Sequence, residues 1–271
     1  MPVIPLFWVL SLLCTACVHL FIVPSLSLLW APLVLLGFFA LCQVLFVLYV
    51  TLSTLLIPKK APEHPRAYAR FAIRVAISWV LGFFRIRLKT VGKEKMPDRP
   101  CVLVCNHRAA LDPTYIYLAF PKRPMAFLSK ASVYHYPVVG AHMQRAGFLF
   151  IERDKPMQAM RMLHRAARFI KEDGIDYGIF PEGTRSRDGS LLPFKSGAFV
   201  AAKRADAPIA VFTLQGSEKA WRVFSLRPAR VLLRLEQIIL VETVREKTPE
   251  ELSDMARTIM ENALQEHPFQ K

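Results

Sequence analysis

Asp, Glu, Lys and Arg are all absent before Lys59. A stretch that long without a formal charge is not an ordinary solvated surface. It also lacks the marks of a secretory signal, which opens with Lys or Arg and closes on a clear small-residue cleavage site. Cysteine is scarce and odd in number: Cys14, Cys17, Cys42, Cys101 and Cys105. Their spacing gives no disulfide framework and no zinc motif, which fits a reducing compartment and leaves no metal site to expect. No internal repeat and no low-complexity linker occurs, so solenoids and arrays are excluded.

What is present is apolar and basic. Of the 271 residues 53% are hydrophobic, yet 21% are charged. That mixture implies a membrane-embedded part joined to a globular part, and it argues against disorder. Lys and Arg number 36 against 21 Asp and Glu, a net charge of +15. Such a chain calls for an anionic partner: a nucleic acid, an anionic membrane surface or a phosphorylated substrate. The charge-free N-terminus and the basic residues beside it explain the balance better than a nucleic acid does, so no nucleic-acid partner is expected.

Two apolar runs fill residues 3–23 and 33–57, with Pro24 and Pro32 bracketing the break and Pro58 ending the second. At about 1.5 Å per residue each is long enough for ~30 Å of hydrocarbon. Residues 1–58 are therefore read as two transmembrane helices; a signal peptide or a buried hairpin are the other readings. Lys59, Lys60, Arg66, Arg70, Arg74, Arg85, Arg87 and Lys89 follow at once. The positive-inside rule places that flank in the cytoplasm. The expectation is a multi-pass membrane protein whose remaining domain faces the cytoplasm.

Residues 59–84 form the second region. Arg66, Arg70 and Arg74 recur every four residues on an otherwise bulky apolar helix over 66–84. A narrow basic stripe suits an interfacial amphipathic helix lying against anionic membrane lipid. A core helix with a solvated Arg face is the alternative.

Residues 85–271 read as a globular α/β domain. Strand patterns fall at 85–89, 101–105, 125–128, 148–151, 177–180, 209–214 and 231–235. Between them lie a helix opening at Asp112-Pro113, another over 156–173 closed by Gly174, and a last one opening on Thr248-Pro249-Glu250-Glu251, a capping box. Strands alternating with helices imply a mixed, mainly parallel sheet flanked by helices.

Two segments carry chemistry. Asn106-His107-Arg108-Ala109-Ala110-Leu111-Asp112 places a His just past a strand end, with an Asp five residues later. A neutral His can accept a proton from an alcohol, and a carboxylate on its other nitrogen would fix the tautomer. Equally, Asp112 is only a helix cap and His107 a polar turn residue. Phe180-Pro181-Glu182-Gly183-Thr184-Arg185-Ser186 also follows a strand. Gly183 allows close backbone approach, Thr184 offers a hydroxyl, and Arg185 can grip phosphate with two N–H groups. Such a loop suits an anionic head group; a solvated turn with a Glu182–Arg185 pair is the plainer reading. Gly147 to Arg153 is a strand ending in charge, with Arg153 alone available to a ligand. Cys105 lies two residues before His107, which on a strand puts both on one side. It is a small core residue, or else half of a thiolate–His pair.

Together these segments resemble the lysophosphatidic acid acyltransferase family, the 1-acyl-glycerol-3-phosphate O-acyltransferases. Asn106-His107 with Asp112 matches the family's N-H-x4-D motif. Residues 147–153 resemble its second block, 180–186 match its third, and Ala207-Pro208-Ile209-Ala210-Val211 resembles its fourth. Where members often carry Ser in the first block, this chain has Ala109 and Ala110. The resemblance covers roughly residues 85–220. It implies acyl transfer from acyl-CoA or acyl-ACP to the sn-2 hydroxyl of 1-acyl-glycerol-3-phosphate, giving phosphatidic acid. His107 would be the general base and Asp112 its orienting partner. Glu182, Gly183, Thr184 and Arg185 would hold the acceptor phosphate, helped by Arg153. Lys130, Arg187 and Lys195 add charge nearby. No covalent intermediate, cofactor or metal is implied. Another lysophospholipid acceptor, or a non-catalytic lipid-binding role, are the competing functions.

Overall fold

A computed structural model describes residues 3–23, 28–58, 60–83, 86–136, 139–152, 154–186, 188–219 and 229–268. Lys59, Arg85, Arg153 and Arg187, and the 84 end of the expected interfacial helix, lie outside these residues. The chain begins with helices α1 (Val3–Cys17, continued by a π-helical turn to Ile22) and α2 (Ala31–Leu55). Both segments are long and apolar enough to cross a membrane. None of the 18 most apolar residues of α2 is buried within the molecule, so its Leu and Val side chains need an apolar surrounding from outside. The two helices meet through Trp8 stacked on Phe39 at 4.1 Å and Phe7 against Phe46.

Helix α3 (Ala67–Phe83) follows, but its arginines are not aimed at lipid. The Arg74 guanidinium donates to the Tyr117 carbonyl at 2.8 Å and lies 4.6 Å above the Tyr117 ring. The Tyr117 hydroxyl returns a bond to the Arg70 carbonyl. Burial pushes the pKa of Arg70 and Arg74 below the usual arginine value. Within the expected stripe Arg74 turns inward, where a bonded carbonyl and an aromatic face compensate its guanidinium. Tyr68 and Phe71 are the exposed large side chains of this helix among its described residues. The chain ahead of α3 is held at several points: Arg145, Arg165 and Arg168 donate to the carbonyls of Pro58, Pro62 and Glu63, and His64 meets Asp173 at 2.9 Å.

The remaining elements are β1 (Arg87–Val91), β2 (Val102–Cys105), α4 (Asp112–Ala119), β3 (Met125–Lys130), α5 (Ala131–Tyr134), α6 (Val139–Ala146), β4 (Leu149–Ile151), α7 (Pro156–Asp173), β5 (Asp176–Ile179), α8 (Gly197–Ala205), β6 (Ile209–Gln215), β7 (Arg230–Ile239), α9 (Val241–Glu246) and α10 (Pro249–Glu266). The seven strands form one sheet in the order β1-β7-β6-β2-β5-β3-β4. Every pair is parallel except β6–β7. All seven strand patterns are present, within a few residues. Helices α5, α6, α8 and α9 were not anticipated. The centre of the sheet is fully buried, as its continuous apolar strands require: each residue of β2, β5 and β6 is buried. Gly178 on β5 is a packing necessity, since a methyl there would sit 2.1 Å from the Phe127 ring. The capping box on α10 forms as read, with Glu251 N–H donating to Thr248 Oγ1 and Thr248 N–H to Glu251 Oε2.

This topology sets the position of a site. Strand β2 connects onward to β3, beyond β5, whereas β5 connects to β6, beyond β2. The two adjacent strands send their chains in opposite directions, which opens a crevice at their carboxyl ends.

Candidate functional site

The turn after β2 and the loop after β5 meet in that crevice. Asn106 closes β2 by imitating a further strand residue. Its side-chain amide donates to the Leu214 carbonyl at 3.0 Å and its oxygen accepts Leu214 N–H at 2.7 Å. The chain then leaves the sheet at a fixed point, and His107 comes next.

His107 Nδ1 lies 2.8 Å from Asp112 Oδ2. A carboxylate only accepts, so the ring proton sits on Nδ1 and Nε2 is the basic nitrogen. Nε2 has no partner among the described residues, and the side chain is 15% exposed. The same Asp112 oxygen accepts Arg108 N–H at 2.6 Å and Ala109 N–H at 2.7 Å. Asp112 therefore folds back over the preceding turn rather than capping α4, whose N-cap position is Leu111. It is completely buried, so its charge acts on the imidazole with little screening. Phe180 covers one face of the ring, with centroids 4.4 Å apart.

Glu182 braces the backbone at this junction. It is buried, and its two oxygens accept His107 N–H at 2.7 Å and Leu192 N–H at 3.1 Å. Desolvation pushes its pKa up from the usual carboxylate value, against the pull of those amides. With both oxygens on backbone donors, Glu182 ties the loop to the His107 turn and forms no ion pair with Arg185. Two further bonds tighten the junction: Ser186 N–H donates to the His107 carbonyl at 2.8 Å, and the Arg108 guanidinium to the Gly189 carbonyl at 3.0 Å. Thr184 and Arg185 project from the loop, exposed. Gly183 sits at φ +66°, a left-handed conformation that favours glycine. The residues carried over by resemblance thus separate into a buried brace, Glu182, and an exposed rim, Thr184 and Arg185. Arg153 lies outside the described residues. Lys130 is exposed at the end of β3.

Cys105 is not a nucleophile in this setting. It is 1% exposed, and burial raises its thiol well above the usual range. The fourth block is structural: Ile209, Ala210 and Val211 are central strand residues, and the Pro208 carbonyl accepts Val102 N–H. Among the described residues no cluster of His, Cys, Asp and Glu could hold a metal. Sequence reasoning left Asn106 and Arg108 without roles. Asn directly after an apolar strand run was the available signal for the first; the second depends on a contact across about 80 residues and left none.

A family model described as Acyltransferase matches residues 87–215, the span that contains both segments. The chain is 32% identical over 160 residues to a 1-acyl-sn-glycerol-3-phosphate acyltransferase of Limnanthes douglasii, covering 58% of this chain and 55% of that one. It is 38% identical over 130 residues to a chloroplastic protein of the same name from Brassica napus, covering 47% and 37%. The chain thus spans about half the length, or less, of these curated relatives. Among solved structures, the lysophosphatidic acid acyltransferase of Thermotoga maritima superposes with a TM-score of 0.61 over 98% of both chains at 21% identity, a shared fold.

Proposed function

We propose that this chain, whose residues 87–215 belong to the acyltransferase family, transfers a fatty acyl group from a thioester to the free sn-2 hydroxyl of 1-acyl-glycerol-3-phosphate. The observation that carries the proposal is the 2.8 Å contact of His107 Nδ1 with buried Asp112, which leaves Nε2 unpartnered beside a cationic loop. Nε2 takes the hydroxyl proton as the oxygen attacks the thioester carbonyl. The imidazolium that results is stabilised by the Asp112 carboxylate. The tetrahedral oxyanion collapses, the carbon–sulfur bond breaks, and the departing thiolate recovers the proton from Nε2. The products are phosphatidic acid and free thiol. Arg185 and Thr184 hold the acceptor phosphate, while Glu182 and Gly183 shape their loop.

The donor is acyl-CoA or acyl-ACP. Purified full-length protein, given each donor with lysophosphatidate, is expected to form phosphatidic acid with at least one of them. Binding of lysolipid with no transfer from either donor would favour a non-catalytic lipid-binding role and overturn the proposal. The helices α1 and α2 anchor the enzyme in the membrane, supported by their length and their outward apolar surface. Its globular part faces the cytoplasm, supported by the basic residues that follow Pro58. An engineered cysteine near residue 266 should resist a membrane-impermeant reagent applied to intact cells; ready labelling would reverse that orientation.

A further inference from the structure

The rim of the loop carries a second cation, Lys195. Lys195 lies twelve residues beyond Gly183, yet a methyl group on Gly183 would stand 3.1 Å from its Cε and 3.3 Å from its Nζ. Its own N–H donates to the Pro181 carbonyl at 2.9 Å, so the backbone that presents it is fixed to the same loop. The ammonium thus lies across the Gly183 turn, two residues from Arg185. Both cations are exposed and have no partner among the described residues.

No carboxylate pairs with either of them among the described residues, and three nearby acids have other partners. Glu182 accepts two backbone amides. Asp188 accepts the Ser190 hydroxyl and amide and the Ser186 hydroxyl, which lower its pKa to about 2. Glu218 lies 4.0 Å from Arg108. Two cations presented by one loop without a paired carboxylate favour an anion with two charges over one with a single charge.

We infer that Lys195 is a specificity-determining residue that, with Arg185, selects an acceptor carrying a phosphate monoester over one carrying a phosphodiester. A monoester has a second ionisation near pH 6 and is mostly dianionic at pH 7; a diester keeps one charge. This inference rests on the acyltransferase reading above.

The test is Lys195→Met in the full-length protein, with Lys195→Arg beside it. Methionine keeps the N–H bond to Pro181 and the length of the side chain, so a melting curve should match that of the unaltered protein. The KM for lysophosphatidate should rise roughly ten- to a hundredfold, the worth of one charge-assisted contact. The KM for the acyl donor should not move, and arginine should recover most of the loss. Lysophosphatidylglycerol, a diester competitor, should inhibit the unaltered enzyme far more weakly than lysophosphatidate binds, and that gap should shrink in Lys195→Met. An unchanged KM for lysophosphatidate, a rise in the donor's KM instead, or equal binding of monoester and diester by the unaltered enzyme would each overturn the inference. Absence of any phosphatidic acid from the unaltered enzyme would remove the acyltransferase reading itself.

Discussion

His107→Ala should abolish acyl transfer in a protein that stays folded. The loss expected is ~10²–10⁴-fold or more in turnover, the range of a positioned general base. Retention of the fold follows from where the contacts are made. The junction with the loop uses the His107 backbone: its N–H bonds to Glu182 and its carbonyl accepts Ser186 N–H. Alanine keeps both. Asp112 loses one donor but retains the amides of Arg108 and Ala109. The ring contact with Phe180 and the Nδ1 hydrogen bond to Asp112 disappear, a loss of about 2–4 kcal/mol. A folded His107→Ala protein with near-normal turnover would end the general-base assignment.

Asp112→Asn should cut turnover nearly as far, up to roughly 10⁴-fold by comparison with the His–Asp pair of serine hydrolases. The side-chain oxygen of asparagine can still accept the Arg108 and Ala109 amides that hold the turn. That oxygen also faces His107 Nδ1, so what is lost is the charge that stabilises imidazolium. Activity should therefore fall far more than stability. A variant that melts earlier but turns over normally once folded would make Asp112 a structural support of the turn and no more.

The central strands β2, β5 and β6 were legible as apolar runs because each buries both faces in the sheet, and the His–Asp spacing was legible because five residues span a single turn. Strand order was not, since parallel pairing joins segments far apart: Val102 faces Tyr177 on one side and Ile209 on the other. The arginine stripe of α3 was visible as a pattern, but its direction depends on the Tyr117 carbonyl, which sequence periodicity cannot place. Glu182 was grouped with Arg185 because the two are near in sequence. The fold separates them by giving both Glu182 oxygens to amides from other segments. Lys195 reaches the loop because its N–H bonds to the Pro181 carbonyl and its side chain crosses Gly183.

The most direct test of the central claim is a product balance for the purified full-length protein and for His107→Ala, with labelled acyl thioester and lysophosphatidate. The account predicts one phosphatidic acid for each free thiol released by the unaltered protein, and neither product above background from the folded variant. Thiol release without matching phosphatidic acid, or phosphatidic acid formed equally by His107→Ala, would contradict it.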